Sequence, residues 1–322
     1  MSETIHIAVP CDDSYWFYAM VSAASAVRSS SLPVHVHIID GGIPNPHRVS
    51  LENVLRGFAS CGGVSFHDVD MKRLGACGQW HGSPIAYSRL FLGEILPDDL
   101  DWVISADADT FFRGDVAELW DMRDSSVSIL PSRDCPLPPQ PYNLAHVGWF
   151  EENNLVLNCK EEYFCDGLCL VNLKRWRETG VQSRCQDFVN AHRDGPAADQ
   201  TILNYVLQND KKLLPRGWGM FSGDENADVD WGKSGCVHFV EDPPWRRWKC
   251  THLMSDIVLE WWRLAEEIAE KATVRLAGYR GCGNRLDYIW RRAAFVFLKH
   301  NQWILRLHPR LWLHLRNTRG VA

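Results

Sequence analysis

The sequence predicts an α/β protein built on a doubly wound, mainly parallel sheet. Three observations lead to that class: short β-rich runs alternate with stretches of helical length, several runs end in an acidic residue, and neither an internal repeat nor a low-complexity tract interrupts the alternation. Ile5–Val9 is the first run, stopped by Pro10-Cys-Asp-Asp13, and the uncharged stretch Ser14–Val27 that follows has helical length. Pro33–Ile39 is the second, ending at Asp40-Gly-Gly before a polar helical stretch at Ser50–Phe58. Val64–Val69 is the third and ends at Asp70; a helix over Ile85–Leu96 then leads to strand Trp102–Ala106 and Asp107-Ala-Asp109. Strand Val127–Leu130 precedes a Pro-rich irregular loop, Cys135–Tyr142, and Gly167–Asn172 reads as another strand. Helices follow at Leu173–Glu178, Gln182–His192 and Asp199–Gln208, then a late strand at Cys236–Val240 and a helix at Ser255–Ala272, with two further helical segments in the tail. Ligands of such sheets sit beyond the carboxyl ends of the strands, where these acids fall.

Composition bounds the function. The chain has 322 residues, 46% hydrophobic and 23% charged, which excludes disorder, collagen and small disulfide scaffolds. A net charge of −6 provides no global basic field for nucleic acid. Residues 284–322 differ from the rest: eight Lys/Arg face one acid, Asp287, so the body is more acidic than the whole chain. Eleven cysteines without a CxxC pair read as reduced thiols of a reducing cytoplasm. The start, Met-Ser-Glu-Thr, lacks the basic region of a secretory signal, and Arg28 ends the Ser14–Val27 run short of the ~20 residues a bilayer-spanning helix needs.

Asp107 and Asp109 are the sharpest local feature. Carboxylates at i and i+2 around a turn can converge on one hard divalent cation, which can hold the oxygens of a diphosphate; the alternative is an Asp pair that caps the next turn. His238, in the late strand, could complete an oxygen-rich site suited to Mn²⁺, or serve the fold alone. Asp12 and Asp13 could bind a base or ribose, or supply the N-cap of the helix that begins near Tyr15.

The order of motifs resembles glycosyltransferase family 8, the retaining GT-A enzymes, and in particular its bacterial lipopolysaccharide galactosyl- and glucosyltransferases. The residues that carry the resemblance are Val9-Pro-Cys-Asp-Asp-Ser-Tyr15, Ala86-Tyr-Ser-Arg-Leu90 with Leu92-Gly-Glu94, Val103-Ile-Ser-Ala-Asp-Ala-Asp109, Leu119-Trp-Asp121, Tyr163 to Trp176, Asp199-Gln-Thr-Ile-Leu-Asn204 and His238-Phe to Pro244-Trp245. They keep the family's order over about residues 5–250. The resemblance implies a GT-A, Rossmann-like mixed sheet and a Mn²⁺-dependent transfer, with Mg²⁺ as the alternative ion, of galactose or glucose from a UDP-sugar. Asp12 and Tyr15 would hold uracil and ribose, and Arg89 would reach the diphosphate and sugar. Asp107, Asp109 and His238 would hold the metal, with Asp107 also near the sugar. Asp134 and Asp199 would line the sugar and acceptor side, and Gln200 matches the residue nearest the anomeric carbon.

The chain departs from the family twice. Phe164-Cys165-Asp166-Gly167 stands where relatives read Phe-Asn-Ala-Gly, and His238 to Trp245 lacks the usual glycine and phosphate-binding lysine, leaving Arg246, Arg247 or Lys249 to take up that charge. The sequence therefore divides into a catalytic domain over 1–250 and a helical region over 251–322. In the latter, 284–322 is a basic aromatic segment: Ile304, Leu307, Leu311 and Leu315 share a face opposite Lys299, Arg306 and Arg310, as in a helix lying on an anionic membrane surface. The expected partners are a UDP-hexose, a glycan or glycolipid acceptor and that membrane, but no nucleic acid, with the protein peripheral at the cytoplasmic inner face. The alternative is a catalytically weak nucleotide- or glycan-binding partner in an assembly complex.

Overall fold

The computed structural model describes residues 3–134, 143–192, 195–221, 234–240, 243–245 and 255–275. The Pro-rich loop, Arg246, Arg247, Lys249 and the basic tail lie outside these. The chain divides into two compact units, Met1–Val240 and Glu241–Ala322.

The first unit is built in the predicted alternation. It runs β1 (Ile5–Cys11), α1 (Trp16–Ser29), β2 (Val34–Asp40), α2 (Asn45–Arg56), β3 (Cys61–Asp68) and α3 (Met71–Cys77), then a 3₁₀ segment (Ile85–Phe91) with one α turn, α4 (Leu92–Ile95). After β4 (Trp102–Ala106) come β5 (Thr110–Phe112), α5 (Val116–Trp120), β6 (Ile129–Arg133), α6 (Leu144–Glu152), β7 (Phe164–Asn172), α7 (Leu173–Glu178), α8 (Val181–Ala191), α9 (Ala198–Val206), β8 (Trp218–Phe221) and β9 (Cys236–His238). The main sheet has the order β3-β2-β1-β4-β7-β6, with β3, β2, β1 and β4 parallel and β7 antiparallel to both β4 and β6. All nine residues of β7 are buried, as expected of a central strand covered on both faces. Trp176, Phe188, Leu90 and Leu203 belong to one core cluster that carries the 3₁₀ segment and α7–α9.

Several local findings differ from the sequence expectation. Ile85–Leu96 is not one α-helix: the 3₁₀ segment gives way at Phe91 (φ −112°, ψ 13°) to the single turn of α4, in which Gly93 lets Trp176 approach, and Pro97 follows. The late strand leaves the main sheet and joins a separate one of order β5-β9-β8. Neither Asp12 nor Asp13 caps α1: Tyr15 occupies the N-cap without a side-chain bond, Asp12 accepts from Ser14 N at 3.0 Å, and Asp13 pairs with His47 at 2.7 Å. Two strand-end acids serve turns, Asp70 as the N-cap of α3 and Asp40 as acceptor from Gly42 and Ile43 at 2.7 Å. The eight described cysteines are free thiols.

In the second unit α10 (Ser255–Lys271) buries Ile257, Val258, Trp261, Leu264, Ala265 and Ile268, a helical spacing, and Trp262 Nε1 donates to the Pro244 carbonyl at 3.2 Å. No helix among the described residues is long and apolar enough to cross a membrane.

One stretch of sheet face is a chain of imidazoles. The register sets His6 opposite His35, Ala8 opposite His37 and Ile39 opposite His67, so the four histidines share a face. His6 Nδ1 lies 2.9 Å from His37 Nε2, and His37 Nδ1 lies 2.9 Å from His67 Nε2. Each neutral ring has one donor and one acceptor nitrogen, so neutral rings satisfy both contacts, whereas protonation of neighbouring rings would set two N–H groups against each other. Burial first, and the adjacent imidazoles second, push His6 down to about 4 and His37 down to about 2 from an ordinary 6.5. Below 6.5 the unfolded chain takes up protons that the folded chain refuses, so this contribution to stability is complete above 6.5 and is lost as the pH falls toward about 4. The melting temperature should therefore drop more between about pH 7.5 and about pH 5 in the wild type than in His6→Asn. Equal drops would remove the imidazole chain from the pH dependence.

Candidate active site

The site begins where β4 runs out. After five strand residues the chain turns at Asp107, whose N–H is held by the Gly167 carbonyl at 2.9 Å and whose carbonyl accepts from Thr110 Oγ1 at 2.8 Å. This turn enters β5, and β5 pairs antiparallel with β9 so that Thr110 faces His238. Phe239 N–H donates to the Asp109 carbonyl at 2.9 Å and extends the pairing beyond the strand. A histidine distant in sequence is thereby carried to the aspartates: His238 Nε2 lies 3.1 Å from Asp109 Oδ1 and 3.5 Å from Asp107 Oδ2. One ligand atom from each of Asp107, Asp109 and His238 lies within 4.8 Å of the others, the convergence a divalent cation requires.

Gly167 makes room for this arrangement, since any Cβ there would overlap the His238 imidazole. On the far side of the ring, Nδ1 sits 3.5 Å from Cys165 Sγ. Burial lowers the His238 pKa, but the Asp109 carboxylate, helped by Asp107, outweighs burial and holds it well above the ordinary value. With the cation bound the ring would lose that proton, because a ligating nitrogen needs its lone pair.

Beneath the triad lies Arg89, 2% exposed although charged. Its Nε donates to Ser105 Oγ at 3.2 Å, its Nη1 to Asp199 Oδ2 at 2.5 Å, and its Nη2 to Asp107 Oδ1. Asp166 Oδ2 is 3.2 Å from Nη1. The guanidinium thus joins the 3₁₀ segment, β4, β7 and the first turn of α9. Burial opposes ionisation of Asp107, but Arg89 overcomes it and holds that carboxyl below the usual range. The outcome is opposite for the other two. Burial raises Asp199, with Asp166 adding to the shift, and burial likewise raises Asp166. Each carboxyl is therefore pushed toward its protonated form by burial and by an acid beside it.

The remaining expected residues occupy the same edge of the sheet. Asp12 and Tyr15 follow β1, with Asp12 accepting from both the N–H and the hydroxyl of Ser14. Asp134 follows β6, its carboxylate 3.9 Å from His146 Nδ1, and Gln200 is half-buried beside Asp199 on α9. Asn204, one turn further along, brackets Phe164 with bonds to its N–H and carbonyl at 2.8 and 2.9 Å, which ties α9 to the start of β7. Of the expected residues, Arg89, Asp107, Asp109, Asp199 and His238 form one continuous network. Sequence reasoning missed Ser105 and the ion-pairing role of Asp166; the departure from the family at Asp166 was the available clue.

Comparison with known proteins agrees with this geometry. Residues 6–249 match Glycosyl transferase family 8. A curated relative, "Probable galacturonosyltransferase-like 10" of Arabidopsis thaliana, is 24% identical over 247 residues, which cover 72% of this chain and 62% of the relative. The chain thus spans about three-fifths of that protein's length. The solved structure of the galactosyltransferase LgtC with donor and acceptor sugar analogues superposes with a TM-score of 0.68 at 23% identity, covering 86% of this chain and 100% of that one. The glycosyltransferase GlyE of Streptococcus pneumoniae TIGR4 superposes with a TM-score of 0.60 at 16% identity, covering 84% and 63%. The shared fold is the GT-A arrangement of LgtC, and with a match across three-quarters of its length this chain belongs to glycosyl transferase family 8.

Proposed function

We propose that the protein is a UDP-sugar-dependent, retaining hexosyltransferase that moves galactose or glucose to a cell-surface glycan or glycolipid. The observation that carries this reading is the convergence of Asp107, Asp109 and His238 above a buried guanidinium at the carboxyl ends of the strands. Two carboxylates and one imidazole are a donor set suited to Mn²⁺, and the space left by Gly167 lets the imidazole join them. When bound, the ion would take up the negative charge of the departing diphosphate. Arg89 keeps Asp107 ionised and aimed at the ion, while Asp12 and Tyr15 take the nucleoside at the end of β1. Gln200 is an amide and Asp199 is tied to Arg89, so neither offers a free nucleophile for a double displacement. Retention then follows front-face attack, with the leaving phosphate accepting the acceptor's proton.

A galacturonosyl donor is the alternative suggested by the name of the Arabidopsis relative. A second reading, a nucleotide-binding partner of weak activity, is favoured by the engagement of Arg89 with carboxylates at both Nη atoms. Release of UDP from UDP-galactose or UDP-glucose by purified protein with Mn²⁺, abolished by EDTA, supports the enzyme; tight UDP binding without release supports the binder. Asp107→Asn, Asp109→Asn, His238→Ala and Gly167→Ala should each weaken Mn²⁺-dependent UDP binding by about tenfold or more in titration calorimetry. Unchanged Mn²⁺ affinity in the folded variants would overturn the ligand assignment.

The domain division at residue 250 and the location at the cytoplasmic membrane face belong to the same proposal, supported by the aromatic residues and eight cations of 284–322. Each cation near an anionic surface contributes about 1 kcal/mol. Full-length protein should co-sediment with anionic vesicles and not with neutral ones, and removal of 284–322 should abolish it. Equal sedimentation of both forms would exclude the tail as the membrane contact.

A further inference from the structure

The order of strands lays out the substrate. Asp12 and Tyr15 follow β1, the metal-type triad follows its neighbour β4, and Asp166 lies on the next strand, β7, at the same edge because β7 runs antiparallel. A nucleoside diphosphate sugar laid along that edge, with its nucleoside at β1 and its diphosphate at β4, brings its sugar to β7 and to Asp199 on the adjoining α9. Neighbouring strands are about 4.8 Å apart, so two steps span about the length of a diphosphate and a sugar ring.

The charge at that end is negative. Asp166 and Asp199 are 5% and 4% exposed, and both lean on one guanidinium that also serves Asp107. Among the described residues, the ion pairs of Asp107, Asp109, Asp166 and Asp199 run to Arg89 and His238, and Arg89 has Ser105, Asp107 and Asp199 on its three nitrogens. Three carboxyl groups against one guanidinium leave this end with a surplus of negative charge. An uncharged hydroxymethyl or ring hydroxyl can donate a hydrogen bond to it. A sugar carboxylate can only repel it, and burial leaves little water to screen the repulsion.

We propose that this end of the site selects an uncharged donor sugar and rejects hexuronic acids, with Asp166 as the residue that discriminates. The inference rests on the reading of the protein as a UDP-sugar enzyme and narrows its donor class.

The test is titration calorimetry with Mn²⁺ of UDP, UDP-glucose, UDP-galactose, UDP-glucuronic acid and UDP-galacturonic acid against wild type, Asp166→Asn and Asp166→Ala. Each affinity is referred to that of UDP on the same preparation, so a partly unfolded variant does not alter the ratio. The wild type should bind the two uronic acid donors at least about tenfold more weakly than UDP and the neutral donors no worse than UDP, and both variants should narrow the gap to within about threefold. Uronic acid donors that match the neutral ones on wild type, or a gap that persists in both variants, would overturn the inference and leave the enzyme reading standing. Absence of UDP binding to the wild type would overturn both.

Discussion

The interaction on which the site depends is the burial of the Arg89 guanidinium. An isolated cation cannot be taken out of water at tolerable cost, so it must carry its counter-charges with it, and they come from β4, β7 and α9. Because a guanidinium presents its donors in a fixed plane, the fork also sets the orientation of each carboxylate it holds. Asp107 is therefore delivered to the triad ionised and aimed, while burial and the surplus of carboxyls over cations push Asp166 and Asp199 toward their protonated forms.

A second constraint is topological. A purely parallel sheet would have placed the start of β7 at the opposite edge, far from the Asp107 turn. Reversal of this one strand brings Cys165, Asp166 and Gly167 to the carboxyl ends of β1 and β4, in register with Ala106 through Leu168. The small β5-β9-β8 sheet does the corresponding work for His238, converting a long separation in sequence into direct pairing across Thr110. Gly167 belongs to both devices, since its carbonyl holds the Asp107 N–H and its missing side chain admits the imidazole.

The proposed donor preference rests on these two constraints together with one substitution. An acid at Asp166 would be unremarkable on the surface, where water screens it. Buried against a guanidinium already engaged by Asp107 and Asp199, it leaves a charge with little water to screen it at the edge where the donor sugar is proposed to lie. The thiols around it do not add to that charge, because burial raises the pKa of both Cys165 and Cys169 and so disfavours their thiolates.

The alternation of strands and helices, the edge of the sheet that carries the candidate site and the Asp107–Asp109 turn were all legible in the sequence, because hydrophobic runs and turn residues act over a few positions and need no partner to be recognised. So was the family, through motifs whose order survives divergence. Short elements were not: β5, β8 and α5 have three to five residues each, too few for a periodic pattern, and they form because neighbours supply their hydrogen bonds. The acids at strand ends looked alike in one dimension, yet Asp40 and Asp70 finish turns while Asp107 faces a site. Only the tertiary structure could separate them, since a carboxylate's role depends on which cation or N–H is brought to it from elsewhere in the chain. The pairing of Arg89 with Asp166 is the same case: the sequence displayed both charges, and packing decided that they would share one desolvated volume.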